Sequence, residues 1–297
     1  MSDPSPPVDA VHGIDALTPA SGRLFVVVGV FDGLHRGHLY LLRHLRREAR
    51  RRGARPAVVT FDAHPDQIVL GAAPPLLCDL DERLVLLAEA GVEVTVVQHF
   101  DVALRMTPYD RFIEMLRART EIAGFLMTPD AAFGHERRGT PAAVAELGRR
   151  DDYVVVVVPP LDLDGRPVRS ADIRAAVAAG DLARARHLLG RPLAVVGVRD
   201  HQDTASDPSG GRVREADAPD VCRVRLTFPM PMALPPAGRY SARVEPVWVS
   251  DGGLPPARER SIVAATALVE EGNLLIESRA ALPPGARLRV AFGRRMG

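Results

Sequence analysis

Cysteine is nearly missing from this chain. Cys78 and Cys222 are the two it has, far apart and without neighbours at metal-ligand spacing, which excludes a disulfide framework and leaves no zinc-binding pattern. Long hydrophobic runs are missing too: no apolar stretch approaches the roughly 18 residues of a membrane span, and the opening MSDPSPPVDAVHG lacks the basic-then-apolar order of a secretory leader. Nor is there an excess of one charge. With 38 Lys and Arg against 37 Asp and Glu the net charge is +1, so no general attraction to nucleic acid is expected. The expectation is a soluble cytoplasmic protein with neither a membrane nor a nucleic-acid partner, and the sequence assigns no oligomeric state.

What is present is enough apolar material for two cores: 297 residues, 46% of them hydrophobic. The first 21 residues, with their Pro and Ser, read as a flexible tail. After them the runs LFVVVGV, RPAVVTF, VTVVQHF, IAGFLM and YVVVVV alternate with helical patterns, which predicts β-α-β crossovers and a parallel sheet. Arg46-Arg47 and Arg50-Arg51-Arg52 fall on a predicted helix, where a solvated face is the expectation. The polar stretch DHQDTASDPSGGRVREADAPD reads as a linker or long loop. Beyond it VCRVRLTF, RYSARVEPVWV, SIVAATALV, NLLIESR and ARLRVAF read as short antiparallel strands of a small barrel or sandwich.

The stretch VVVGVFDGLHRGH, residues 26 to 38, joins an apolar run to glycines and a His-x-Gly-His. Such a run predicts a buried parallel strand whose glycines let the chain turn tightly before LYLLRHLRREARRR, which has helical periodicity. His35 and His38 then sit at a strand-to-helix junction, on one face of the first helical turn. Unpaired backbone N–H groups and the positive end of the helix dipole make that a place for phosphate. No lysine of a Walker-type loop is present, so the imidazoles themselves would supply donors. A lone His-x-x-His serves equally as a turn cap or as half-buried packing. The wider string of Gly29, Phe31, Asp32, Gly33, His35, Gly37 and His38 is the more specific signal.

That string resembles the G-x-F-D-G-x-H-x-G-H signature of bacterial FAD synthetases, the nucleotidyltransferase half of the bifunctional riboflavin kinase/FAD synthetase family. Thr60-Phe61-Asp62-Ala63-His64-Pro65 is similar to the family's T-F-x-P-H-P. FLMTPDAAFGHERRG stands where the family has V-V-G-x-D-F-x-F-G-x-x-R-x-G, and VRSADIRAAVAAGDLARARHLLGRP corresponds to S-S-T-x-I-R with its helix pair. The resemblance covers roughly residues 24 to 192. It implies a Rossmann-like α/β nucleotidyltransferase domain over 22–192, preceded by the tail 1–21 and followed by a small antiparallel β-barrel over 193–297. The implied reaction is adenylyl transfer from ATP to FMN with Mg2+. In that reading His35, His38 and Arg174 are catalytic, and Gly29, Phe31, Asp32, Gly33, Gly37 and Ser170 hold the nucleotide. Phe61, Asp62, His64, Pro65, Asp130, Phe133 and Gly134 face the flavin, with Asp130 also reaching the metal. His35, His38, Asp62, His64, Asp130 and Phe133 fall at or just past expected strand ends, where parallel sheets bind ligands.

There are departures from the family pattern. Ala63 replaces a proline, Thr128, Ala131 and Ala132 replace a glycine, a phenylalanine and a small polar or basic residue, and Arg169-Ser170-Ala171 replaces S-S-T. These changes would enlarge the flavin side and weaken phosphate binding. The C-terminal half resembles riboflavin kinase in LPPAGRYSARVEP and LRVAFGRRM, yet nothing between Gly197 and Leu226 resembles that enzyme's G-F-P-T-A-N phosphate cradle. Glu277 in NLLIESRAAL stands in a different context from the kinase's catalytic glutamate. Three readings follow: an FMN adenylyltransferase without kinase activity, a nucleotidyltransferase for another phosphorylated acceptor such as a flavin analogue, and a non-catalytic flavin- or nucleotide-binding protein. The intact His-x-Gly-His argues against the last.

Overall fold

A computed structural model describes residues 9–200, 221–247, 262–270, 272–282 and 287–297. The chain divides into two compact units, 1–74 with 80–168 and 75–79 with 169–297. In the first unit the strands are β1 (Asp9–His12), β2 (Leu24–Val28), β3 (Arg55–Phe61), β4 (Val94–Gln98), β5 (Ile122–Met127) and β6 (Val154–Val157). The helices are α1 (Arg36–Arg51), α2 (Pro65–Leu70), α3 (Leu80–Glu89), α4 (Val102–Arg105), α5 (Tyr109–Arg117) and α6 (Pro141–Asp151); a hairpin of β7 (Asp162–Leu163) and β8 (Arg166–Pro167) ends the unit.

Strands β1 to β6 form one parallel sheet in the order β1-β4-β3-β2-β5-β6. Successive residues of a strand point to opposite faces. Val26, Val59 and Val96 therefore join Phe112 and Leu116 of α5 in one apolar layer, while Val27 and Val58 join Leu42 of α1 and Leu87 of α3 in the other. Burial on both faces explains why the strands read as continuous apolar runs rather than alternating ones. From β2 the sheet runs outward through β3 and β4 on one side and through β5 and β6 on the other. The carboxyl ends of β2 and β5 thus flank the point where strand order reverses, which is where open α/β sheets bind ligands.

The expected tail of 1–21 gives way to structure at residue 9. β1 pairs with β4, Asp9 opposite Val94 through to His12 opposite Val97, and Ile14 and Leu17 are buried in the α5-side layer. Four residues of mixed character are too few for a periodicity signal, which is why the sequence conceals this strand. The arginine runs of α1 form a solvated face as expected, with Arg46, Arg47, Arg50 and Arg51 exposed, and Arg52 at the end is the half-buried exception. Arg52 reaches back 2.6 Å to Glu48, whose side chain is only 7% exposed, and lies over the Phe25 ring. The hydrogen bond from Arg52 holds the Glu48 carboxyl below the usual carboxylate range.

The second unit contains α7 (Ser170–Ala178), α8 (Leu182–Leu189) and the strands β9 (Ala194–Arg199), β10 (Cys222–Thr227), β11 (Gly238–Pro246), β12 (Val263–Glu270), β13 (Asn273–Ser278) and β14 (Arg287–Met296). The strands close into a barrel, β10-β13-β12-β11-β14-β9. Of barrel and sandwich, the barrel is realised because β9, absent from the five expected strands, pairs with both β10 and β14. The units divide at Val168 rather than at the expected 192, since α7 and α8 pack within the barrel unit. The polar stretch expected as a linker lies, from 201 to 220, outside the described residues. Among the described residues no helix is long and apolar enough to cross a membrane.

Candidate functional site

Between β2 and α1 the chain turns through residues 29 to 35 in an unfavourable conformation. Phe31 at φ 54°, Gly33 at 75° and Leu34 at 35° have left-handed backbones, and each non-glycine residue there costs on the order of 1 kcal/mol or more. Packing holds the turn: Phe31 and Leu34 are buried in the α1-side layer, and the Gly29 N–H donates to the Val59 carbonyl at 3.0 Å. Asp32 is buried as well.

His35 is the N-cap of α1, and its Nδ1 accepts the His38 N–H at 3.3 Å. This bond satisfies one of the orphan donors of the first turn and needs a ring whose proton is on Nε2. The His35 and His38 rings stack with centroids 3.6 Å apart, and Phe31 lies 5.1 Å from His38. His35 is buried and His38 half-buried. The expected pairing of the histidines is therefore present with one change. His35 precedes the helix instead of belonging to its first turn, which leaves Nε2 as the atom from which it can donate.

One strand over, at the ends of β3 and β4, Phe61, Asp62, His64 and Pro65 come together. Asp62 is already engaged: Oδ2 lies 2.6 Å from His99 Nδ1, and Oδ1 accepts the Phe100 N–H at 3.1 Å. Partial burial pushes this carboxyl up, but the hydrogen bonds from His99 and Phe100 outweigh it and hold the group below the ordinary carboxylate value. The same bond raises the exposed His99 imidazole above its ordinary value. His64 caps α2, its Nδ1 accepting the Asp66 N–H at 3.2 Å, and Pro65 is the first residue of that helix. His99 was not among the expected residues; its one sequence signal is its place just past the apolar run VTVV.

At the end of β5, Asp130 is exposed and accepts the Thr128 hydroxyl at 2.8 Å, and its carbonyl accepts from Arg137 Nη2 at 3.2 Å. Gly134, at φ 74°, passes so close to Tyr109 that a Cβ would meet its backbone nitrogen at 2.5 Å. Phe133 faces the core, 5.5 Å from the Phe112 ring and 6.3 Å from Phe125. A pocket of about 80 Å³ remains, lined by Val28, Leu41, Met127, Thr128, Ala131 and Ala132 among others. It brings the β2 and β5 ends and α1 to one crevice.

Ser170 and Arg174 belong to the second unit, where Ser170 opens α7 and Arg174 Nε donates to the Pro75 carbonyl at 2.9 Å. In the barrel Glu277, 13% exposed, accepts from Arg223 Nε at 3.1 Å and from Arg239 Nη2 at 2.7 Å. Among the described residues no three of His, Cys, Asp and Glu group so as to hold a metal ion by themselves.

A family model described as FAD synthetase matches residues 18–172. Over 174 residues the chain is 33% identical to a bifunctional riboflavin kinase/FMN adenylyltransferase of Haemophilus influenzae, covering 58% of this chain and 56% of that one. A protein of the same description from Escherichia coli is 32% identical over 196 residues, 65% of this chain and 63% of its own. The matches thus span about three fifths of these relatives' length. A solved structure described as a macrolide-efflux protein from Streptococcus pneumoniae is similar over 97% of this chain and 91% of that one, with a TM-score of 0.72; at 21% identity it speaks to the fold alone.

Proposed function

The chain belongs to the FAD synthetase family, and from that premise we propose that it is an FMN adenylyltransferase, joining the AMP moiety of ATP to FMN and releasing pyrophosphate. The observation that carries this reading is the stacked His35–His38 pair at the start of α1, beside the reversal of strand order. An FMN phosphate oxygen attacks the α-phosphorus in line, the bond from that phosphorus to the α,β-bridging oxygen breaks, and pyrophosphate departs. The protein needs no covalent intermediate for this, only orientation and positive charge where negative charge develops. His35 through Nε2, His38, and the N–H groups of the first helical turn other than the capped one of His38 supply donors to the phosphates.

Magnesium fits as an ion shared with the nucleotide. It keeps several waters and phosphate oxygens and asks one or two carboxylates of the protein, and Asp130, exposed at the end of β5, is the residue that would hold it. When bound it neutralises phosphate charge.

The barrel does not phosphorylate riboflavin in this reading. The segment between Gly197 and Leu226 has no G-F-P-T-A-N cradle, and Glu277, the candidate base, is engaged by two arginines. A second reading, transfer to another phosphorylated acceptor such as a flavin analogue, is favoured by the pocket at Ala131 and Ala132. The test is incubation of the purified chain with ATP, Mg2+ and either FMN or riboflavin, followed by separation of products. FAD and pyrophosphate from FMN, with no product from riboflavin, are expected. FMN formed from riboflavin would overturn the kinase part, and the absence of FAD would overturn the choice of FMN as acceptor.

A further inference from the structure

Arg83, on α3, is 2% exposed, and the hydrogen-bond partners of its guanidinium among the described residues are neutral oxygens rather than carboxylates. Its Nη1 donates to two neutral oxygens, the Thr60 hydroxyl at 3.2 Å and the Phe61 carbonyl at 2.8 Å, and its Nε is buried without a partner. A buried cation is expensive unless something compensates its charge. Thr60, fully buried, passes the contact on by donating its own hydroxyl to the Val30 carbonyl at 3.0 Å. Val30 directly precedes the left-handed Phe31, and α3 packs on the turn Asp32–Leu34. One guanidinium therefore ties together the end of β3, where Asp62 and His64 begin, and the strained turn that delivers His35 to the start of α1. Hydrogen bonds from a charged donor are the strong ones, and a relay that starts with one and passes through a buried hydroxyl is well suited to hold a backbone in a conformation it disfavours.

We infer that Arg83 is a positioning residue for the nucleotide: through Thr60 and Val30 it sets the turn that presents His35 and the first N–H groups of α1 to an anionic phosphate chain. The inference rests on the adenylyl-transfer reading for its kinetic arm and on ATP binding alone for its equilibrium arm. The experiment uses the full chain and the variants Arg83→Met, Arg83→Lys, Thr60→Val and Thr60→Ser. ATP affinity is measured at equilibrium with Mg2+ present, and the KM values for ATP and FMN are measured separately, all well below each variant's melting temperature.

Arg83→Met and Thr60→Val are expected to weaken ATP binding and raise the ATP KM by about tenfold or more, the scale of one hydrogen bond to a charged group. The FMN KM should stay unchanged, and Arg83→Lys and Thr60→Ser should restore most of the loss. A residue that merely supported the fold would lower the melting temperature and the active fraction while leaving the ATP KM of the folded molecules alone. Should Arg83→Met not fold, the Thr60 pair decides, because valine and serine test the same hydroxyl. An ATP affinity in Thr60→Val equal to that of the wild type would overturn the inference. ATP binding without FAD formation in the wild type would instead fault the choice of acceptor and leave the equilibrium comparison valid.

Discussion

Gly37 lies directly against His35: a Cβ on this glycine would approach the imidazole to 3.1 Å, and the Val168 carbonyl to 3.2 Å. The glycine of His-x-Gly-His is thus the gap through which the N-cap ring folds back over the helix to meet His38. Alanine at this position gains helix propensity worth up to about 1 kcal/mol, which opposes the cost of moving the ring by a few tenths of an ångström. The net effect on stability should be small. Gly37→Ala is therefore expected to melt near the wild type while losing about tenfold or more in kcat/KM, because a donor displaced from its position loses most of its value in the transition state. Thermal melts beside steady-state kinetics check this, and full turnover in Gly37→Ala would remove the stack from the mechanism.

His38→Ala isolates the second ring. If it stabilises charge on the departing pyrophosphate, kcat/KM should fall by about 10²-fold or more, the scale of losing one preorganised donor. The helix should survive, since His35 caps it through the backbone N–H of residue 38 rather than through its side chain. Circular dichroism and product assays on the same preparation decide. Near-normal transfer with an unchanged spectrum would exclude His38.

The Asp62–His99 pair predicts a pH window. His99 is raised above its ordinary 6.5, so its contribution is complete below that value and is lost as pH rises through the raised one. Asp62 is held below its ordinary 3.8, so its contribution is present above that value and is lost as pH falls through the lowered one. The stability advantage of the wild type over His99→Gln should therefore form a plateau between pH 3.8 and 6.5 and shrink on either side. Melting temperatures of both proteins across that range test it, and a difference independent of pH would show that the pair does not sense protonation in the folded state.

Much of this was legible in the sequence, for physical reasons. A strand buried on both faces must be apolar throughout, so IAGFLM coincides with β5, and glycines at a strand-to-helix turn are needed wherever a ring or a carbonyl comes as close as His35 and Val168 come to Gly37. β1 and β9 were harder to see. One is four residues of mixed polarity, and the other follows a helix pair whose family likeness ran on to Pro192. Arg83 left no pattern and His99 only its place past an apolar run, because an arginine on a helix and a histidine past a strand acquire meaning only through what lies across from them in space, here Thr60 and Asp62. The tie between the β2 and β3 loops likewise depends on register, Val28 opposite Val59, which composition does not encode.

The pocket at Ala131 gives the sharpest test of the acceptor. In the family pattern an aromatic stands at this position, and its loss to alanine would ordinarily leave a cavity costing 3–5 kcal/mol, a strong pressure for neighbours to collapse into the gap. Phe133 has not done so. It packs on Phe112 and Phe125, and about 80 Å³ stays open between the β2 and β5 ends. Space kept open at a ligand crevice is expected to receive part of a ligand, here an apolar portion of the acceptor. Ala131→Phe should then raise the acceptor KM by about tenfold, the value of a few buried methylene-sized contacts, and leave ATP affinity unchanged. Titrating ATP and FMN separately against wild type and Ala131→Phe distinguishes the outcomes. Tighter FMN binding and faster FAD formation in Ala131→Phe would mean that the pocket is a packing defect on the flavin side, and that the acceptor is ordinary FMN bound by a weakened site.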